Sequence, residues 1–173
     1  SCLHLNGHNI TSPVRAIYVD ADHTTGVHAH LNIMGDGIVT GAGLYNKMVD
    51  RGVVDIGGSA NFYGGTYVAT DKYPVLTARG YYGNTVVGTG IVNIYDGAEF
   101  IGKDANLLVR SQAVNVYGGK FASGTNKVDG TTTNSLNIYG GAFTNDSVVF
   151  NAAGAKGTFN INGGTFEGKI YVG

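Results

Sequence analysis

Asn115-Val116-Tyr117-Gly118-Gly119 and Asn137-Ile138-Tyr139-Gly140-Gly141 are two copies of one phrase, and relatives of it stand at Asn32-Ile33-Met34-Gly35, Asn61-Phe62-Tyr63-Gly64-Gly65, Asn93-Ile94-Tyr95-Asp96-Gly97 and Asn160-Ile161-Asn162-Gly163-Gly164. The first residues of the six are 29, 32, 22, 22 and 23 positions apart, the period of repeat architectures whose units stack on one another. An apolar residue precedes each Asn (Leu31, Ala60, Val92, Val114, Leu136, Phe159) and another follows it (Ile33, Phe62, Ile94, Val116, Ile138, Ile161). Alternation with period two predicts a strand with those residues inward and the Asn outward. The next residue also faces out, and in four copies it is a tyrosine: Tyr63, Tyr95, Tyr117 and Tyr139.

The Gly-Gly pair permits positive φ and a sharp corner, after which Ile38, Tyr67, Phe100, Phe121, Phe143 or Phe166 returns to the core. A second family of strands follows at Ile17-Tyr18-Val19, Gly52-Val53-Val54, Leu76-Thr77-Ala78, Leu107-Leu108-Val109, Val148-Val149-Phe150 and Ile170-Tyr171-Val172. No stretch keeps an apolar 3.6-residue stripe clear of Gly and β-branched residues, so no helix is expected. Equivalent residues of successive phrases then sit one above another, about 4.8 Å apart.

With 173 residues and 43% hydrophobic content, the chain fits a single domain, 1–173, with one continuous core. Glycine takes 29 positions and proline only 2, which separates the chain from collagen-like and proline-rich classes and makes glycine a turn marker. A net charge of −1 with 13% charged residues offers no basic face for nucleic acid. Apolar runs are of strand length, far short of the ~20 residues of a membrane span, so no membrane insertion is expected. The single cysteine, Cys2, excludes an internal disulfide. Abundant Asn, Thr, Tyr and Gly with little Lys or Glu is similar to the composition of secreted and cell-surface proteins.

The opening Leu3-His4-Leu5-Asn6-Gly7-His8-Asn9-Ile10-Thr11 resembles the first coil of right-handed parallel β-helix proteins, the superfamily that includes pectate-lyase-like folds. The Asn-Ile-Tyr-Gly-Gly phrases resemble those of bacterial surface proteins of that architecture. The resemblance implies an all-β, right-handed parallel β-helix, or β-solenoid, of about six to seven coils, and it is unspecific for activity. Right-handed crossover is also what consecutive parallel strands favour. The chain begins and ends inside a coil, so the expectation is a fragment of a longer protein or a unit that self-associates end to end.

Three constellations carry chemistry. Aligning Asn6 with Asn32 places His4 above His30 and Cys2 above His28, a square of outward ligands suited to Zn or Cu. His8 and Met34 extend it, and His23 is expected in a loop. The bland alternative is a set of polar surface residues beside a frayed end. The second constellation is the Tyr63, Tyr95, Tyr117 and Tyr139 column beside the Asn61, Asn93, Asn115 and Asn137 column. An aromatic strip next to a row of amides suits the apolar faces and hydroxyl edges of a polysaccharide, although like residues also stack to stabilise a solenoid alone.

The third is a charge ladder after the second strand family, Asp20, Asp55, Arg79, Arg110 and Asn151. In pectate-lyase-like relatives Asp clusters hold Ca²⁺ and an Arg or Lys removes the proton beside a uronate carboxylate, so the resemblance makes the charged residues of this ladder candidate catalytic groups. A ladder of alternating charge also simply neutralises its neighbours. Asp96, Glu99 and Asp104 are close in sequence, as the paired carboxylates of a glycosidase must be close in space. Three functions follow: an extracellular module binding polysaccharide or another surface macromolecule, a polysaccharide lyase or glycoside hydrolase, and a structural filament or stalk segment.

Overall fold

The structure is a computed structural model that describes residues 1–21, 28–43, 51–79, 81–82, 85–86, 90–129 and 134–173. His23 lies outside the described residues. The described elements are strands throughout. Cys2–His4, His30–Met34, Ser59–Phe62, Ile91–Ile94, Ala113–Val116, Ser135–Ile138 and Thr158–Ile161 pair in chain order as one parallel sheet of 7 strands. The repeated phrase lies at the end of each strand from the second onward.

A sheet of 12 strands folds back on itself around the long strand Ala142–Asn151. One arm runs through Ile10–Ser12, Ile38–Gly41, Gly65–Ala69, Ala98–Ile101 and Lys120–Ala122, the other through Ile17–Val19, Val54–Ile56, Leu76–Ala78, Ala105–Val109 and Thr125–Val128, and the twelfth strand, Thr165–Tyr171, pairs with Ala142–Asn151. The chain visits the first sheet and then each arm in the same order, pass after pass. The result is an all-β arrangement of curled parallel sheets, compatible with a solenoid. A short antiparallel pair, Tyr81–Tyr82 with Thr85–Val86, stands apart.

Alternation is realised as expected in the middle of the molecule. Ala60, Phe62, Val92, Ile94, Val114, Val116, Leu136 and Ile138 are fully buried, whereas Leu31 and Phe159 are partly buried and Ile161 is exposed. Behind the corner, Tyr67, Phe100, Phe121, Phe143 and Phe166 stack with centroids 5.0, 5.1, 4.5 and 5.2 Å apart. Such pairs add roughly 0.5–1.5 kcal/mol each beyond area burial. The second pass corrects one expectation. Val39, not Ile38, aligns with Tyr67 and is buried, because Asp36 adds a residue to that corner.

Two different demands explain Gly-Gly. The second glycine of the pair takes positive φ, +90° at Gly65, +92° at Gly119, +97° at Gly141 and +96° at Gly164, a region that penalises any Cβ. The first approaches the preceding pass: a Cβ at Gly64 would lie 2.9 Å from Gly35 O, and one at Gly140 would collide with Tyr117 O. Asp96 replaces the first glycine in one pass, and its Oδ1 accepts a bond from Gly119 N at 3.3 Å.

Buried amides close the remaining bends. Asn106 accepts from Gly102 N at 2.6 Å and donates to Gly124 O at 2.9 Å. Asn134 Nδ2 reaches Asp129 O at 2.8 Å and Arg110 O at 3.0 Å. The strand Thr125–Val128 adds to the expected second family. Its core-facing Asn126 is 1% exposed and donates to Val149 O at 3.0 Å.

Candidate functional site

The four tyrosines of the phrase form a continuous outward column. Centroids of Tyr63–Tyr95, Tyr95–Tyr117 and Tyr117–Tyr139 are 4.8, 5.2 and 5.2 Å apart, with ring planes within 10°, 15° and 10° of parallel. Strand register fixes this, since Asn61, Asn93, Asn115 and Asn137 are direct partners and the residue two further on must then align. Tyr63, Tyr117 and Tyr139 are 43%, 47% and 49% exposed. Tyr95 and Tyr117 each have a ring stacked on both sides, so the strip presents ring edges and hydroxyls to solvent instead of the open faces expected from sequence. Desolvation, then the neighbouring phenols of Tyr63 and Tyr117, hold the Tyr95 hydroxyl above its ordinary pKa.

The asparagine column is a hydrogen-bonded ladder. Asn61 donates to Asn32 Oδ1 at 2.8 Å, Asn93 to Asn61 at 2.9 Å, Asn115 to Asn93 at 3.0 Å, Asn137 to Asn115 at 3.0 Å and Asn160 to Asn137 at 2.8 Å. Each inner amide therefore has one N–H and one carbonyl lone pair committed to its neighbours, and Asn61, Asn93, Asn115 and Asn137 are half-buried. The ladder thus uses part of the hydrogen-bonding capacity that these amides offer to a ligand.

The predicted histidine square is corrected by the register of the first pass. Cys2 aligns with Asn32 and His4 with Met34, a register four residues away from the alignment of Asn6 with Asn32. Asn6 instead takes φ +50° beside Gly7 at +76° and forms the corner. Cys2 Sγ is 3.7 Å from Asn32 Nδ2 at the end of the amide ladder. His30 Nε2 lies 3.0 Å from Asn32 Oδ1 and 3.1 Å from Asn61 Nδ2, and His28 bridges to Ala21. Among the described residues no group of three or more His, Cys, Asp or Glu side chains converges as metal ligands do.

The charge ladder is also rearranged. Asp55 aligns with Tyr18 and Thr77, two positions before the row of Arg79 and Arg110. Its carboxylate is fully buried, with Arg15 Nη1 at 2.8 Å, Arg51 Nη1 at 3.3 Å and Arg79 Nε at 3.4 Å. Burial pushes this carboxyl up while Arg51 and Arg15 pull it down. Arg110 pairs with Asp129 at 2.8 Å, and Asp20 accepts from the Tyr18 hydroxyl. Asn151 aligns with Lys127. Asp104 meets Lys127 at 3.3 Å in a cleft lined also by Tyr73 and Leu108, whereas Asp96 lies at the glycine corner and Glu99 on the adjoining strand.

No helix of the described residues is long and apolar enough to cross a membrane. Comparison with family models, curated proteins and solved structures returned no match.

Proposed function

We propose that the chain is a non-catalytic, right-handed β-solenoid module of about seven coils, displayed outside the cell, that binds a polysaccharide along its tyrosine column. The observation that carries this reading is the row of stacked, half-exposed phenols at 4.8–5.2 Å spacing. A contiguous exposed aromatic strip on a chain with a complete core is a recognition surface by default. An extended pyranose chain joined through its 1- and 4-oxygens advances by close to that spacing per sugar. Peptide repeats fit poorly, since a β-strand advances about 3.3 Å per residue and a polyproline helix about 3.1 Å.

Retention on insoluble polysaccharide, with product analysis of the supernatant, tests this. Tyr95→Ala combined with Tyr117→Ala is expected to lower retention at least tenfold while circular dichroism is unchanged, and no sugar is released. Unchanged retention rejects the strip. Released unsaturated ends or reducing sugar transfers the reading to a lyase or hydrolase. A structural stalk segment is the second reading, favoured by the asparagine ladder, whose bonds stabilise stacked strands with no ligand present; it predicts no retention by the parent protein on any polysaccharide.

A further inference from the structure

Beside the tyrosine column runs a shallow trough of about 450 Å³ lined by Asp96, Gly97, Gly119, Lys120, Gly141 and Ala142. The glycine corner, with Gly97, Gly119 and Gly141 all at positive φ, lies along it. Tyr95, Tyr117 and Tyr139 stand one or two residues before the lining residues Asp96, Gly119 and Gly141 in the chain, so the column borders the trough on one side. Lys120 and Ala142 line the other side, and Glu99 is the aligned strand position one pass earlier. These positions repeat in the same register, one set per pass.

We infer that this trough is the saccharide-binding groove and that its ligand is an uncharged β-linked pyranose polymer lying parallel to the tyrosine column, about one sugar per pass. The inference rests on the polysaccharide reading above and adds the place, direction and chemical class of the ligand. The glycine corner puts no side chain between the tyrosine column and the Lys120 and Ala142 positions, which leaves room for a sugar ring, and the phenol row supplies hydroxyl partners beside it. The charged residues that line the trough are Asp96 and Lys120, one acid and one base, with Glu99 aligned beside Lys120. That balance opposes a polyanion, which needs an excess of cations, and provides no regular row of carboxylates for a polycation. The carboxylates and the ammonium are at the same time good partners for neutral sugar hydroxyls.

The test compares retention of the whole chain on cellulose, insoluble xylan and insoluble mannan with retention on cross-linked polygalacturonate and on chitosan. It includes two variants that fill the trough without touching a tyrosine, Ala142→Trp and Lys120→Trp, each first checked for an unaltered thermal midpoint. Retention on at least one neutral polymer, reduced tenfold or more by whichever trough variant keeps its midpoint, is the expected result. Neutral oligosaccharides should compete better with length up to about three sugars, one for each pass that lines the trough, and little beyond. Retention lost in the double tyrosine variant but kept in both trough variants overturns the groove and leaves the tyrosine strip standing. Tyrosine-dependent retention on polygalacturonate or chitosan alone overturns the ligand class. Retention on no polymer by the parent chain overturns this inference together with the polysaccharide reading.

Discussion

Tyr67 is the residue at which core packing and the corner meet. Its ring stacks on Phe100 and stands edge-on to Phe62 at 5.3 Å, and its hydroxyl donates to Gly64 O at 2.8 Å. Burial raises the phenol pKa well above the ordinary value of about 10. The neutral form is therefore favoured by folding. Its contribution is complete below the unfolded-state pKa near 10 and is lost as pH rises from there toward the folded value, because the unfolded chain releases the proton first. Tyr67→Phe should cost about 1 kcal/mol at pH 7 through the lost hydrogen bond, yet lose less stability than the parent between pH 9 and pH 11. Urea midpoints at those pH values check this, and parallel declines in the two proteins would refute it.

The elements of the fold are ladders, and the ladders make predictions that single contacts do not. Asn115→Ala removes a donor to Asn93 and an acceptor from Asn137, leaving two half-buried amide groups short of a partner, at a cost of about 2 kcal/mol. Asn160→Ala, at the exposed end of the row, removes one such bond and should cost less than half as much. Equal shifts in the two urea midpoints would show that the ladder adds nothing beyond the backbone. At the corners, Gly140→Ala drives a Cβ into Tyr117 O of the neighbouring strand, an overpacking defect of about 1–3 kcal/mol. Gly154→Ala meets no atom within 4 Å and has only its φ of +69° to oppose it, about 1 kcal/mol. Thermal melts of the two variants rank them.

The same elements explain what sequence could reveal. The Asn-x-Tyr-Gly-Gly phrase combines strand alternation with a corner marker, so the middle passes, their inward Val, Ile and Phe residues and the tyrosine column are legible directly. The first pass is not, because Leu3-His4-Leu5-Asn6 imitates the strand half of the phrase while Asn6 serves as the corner. Thr125–Val128 escapes because its buried position is Asn126, whose amide satisfies the backbone at a bend instead of adding an apolar signal. Ring stacking likewise depends on side-chain torsions. Alternation therefore predicts an outward tyrosine without predicting that its faces are covered by the next one.

At the scale of the whole molecule, stability should be distributed pass by pass. Each strand pairs with the equivalent strands before and after it, the condition under which a repeat protein approximates a sum of units and interfaces. Asp55 is the main polar exception to that regularity. It ties Arg15 of the first pass and Arg79 of the third to Arg51 and its own strand in the second. Asp55→Asn keeps the shape but leaves three guanidinium groups facing a neutral amide in a dry setting, a loss of about 3–5 kcal/mol by analogy with broken buried ion pairs. The loss should be local. Amide exchange in Ile17–Val19, Val54–Ile56 and Leu76–Ala78 is expected to accelerate by about two orders of magnitude or more. Lys120–Ala122 and Ser135–Ile138, two or more passes away, should keep protection close to that of the parent, because the interfaces between those later strands are unchanged. Uniform acceleration across all these strands would mean that the sheets open as one cooperative unit, and the pass-by-pass account of stability would fall.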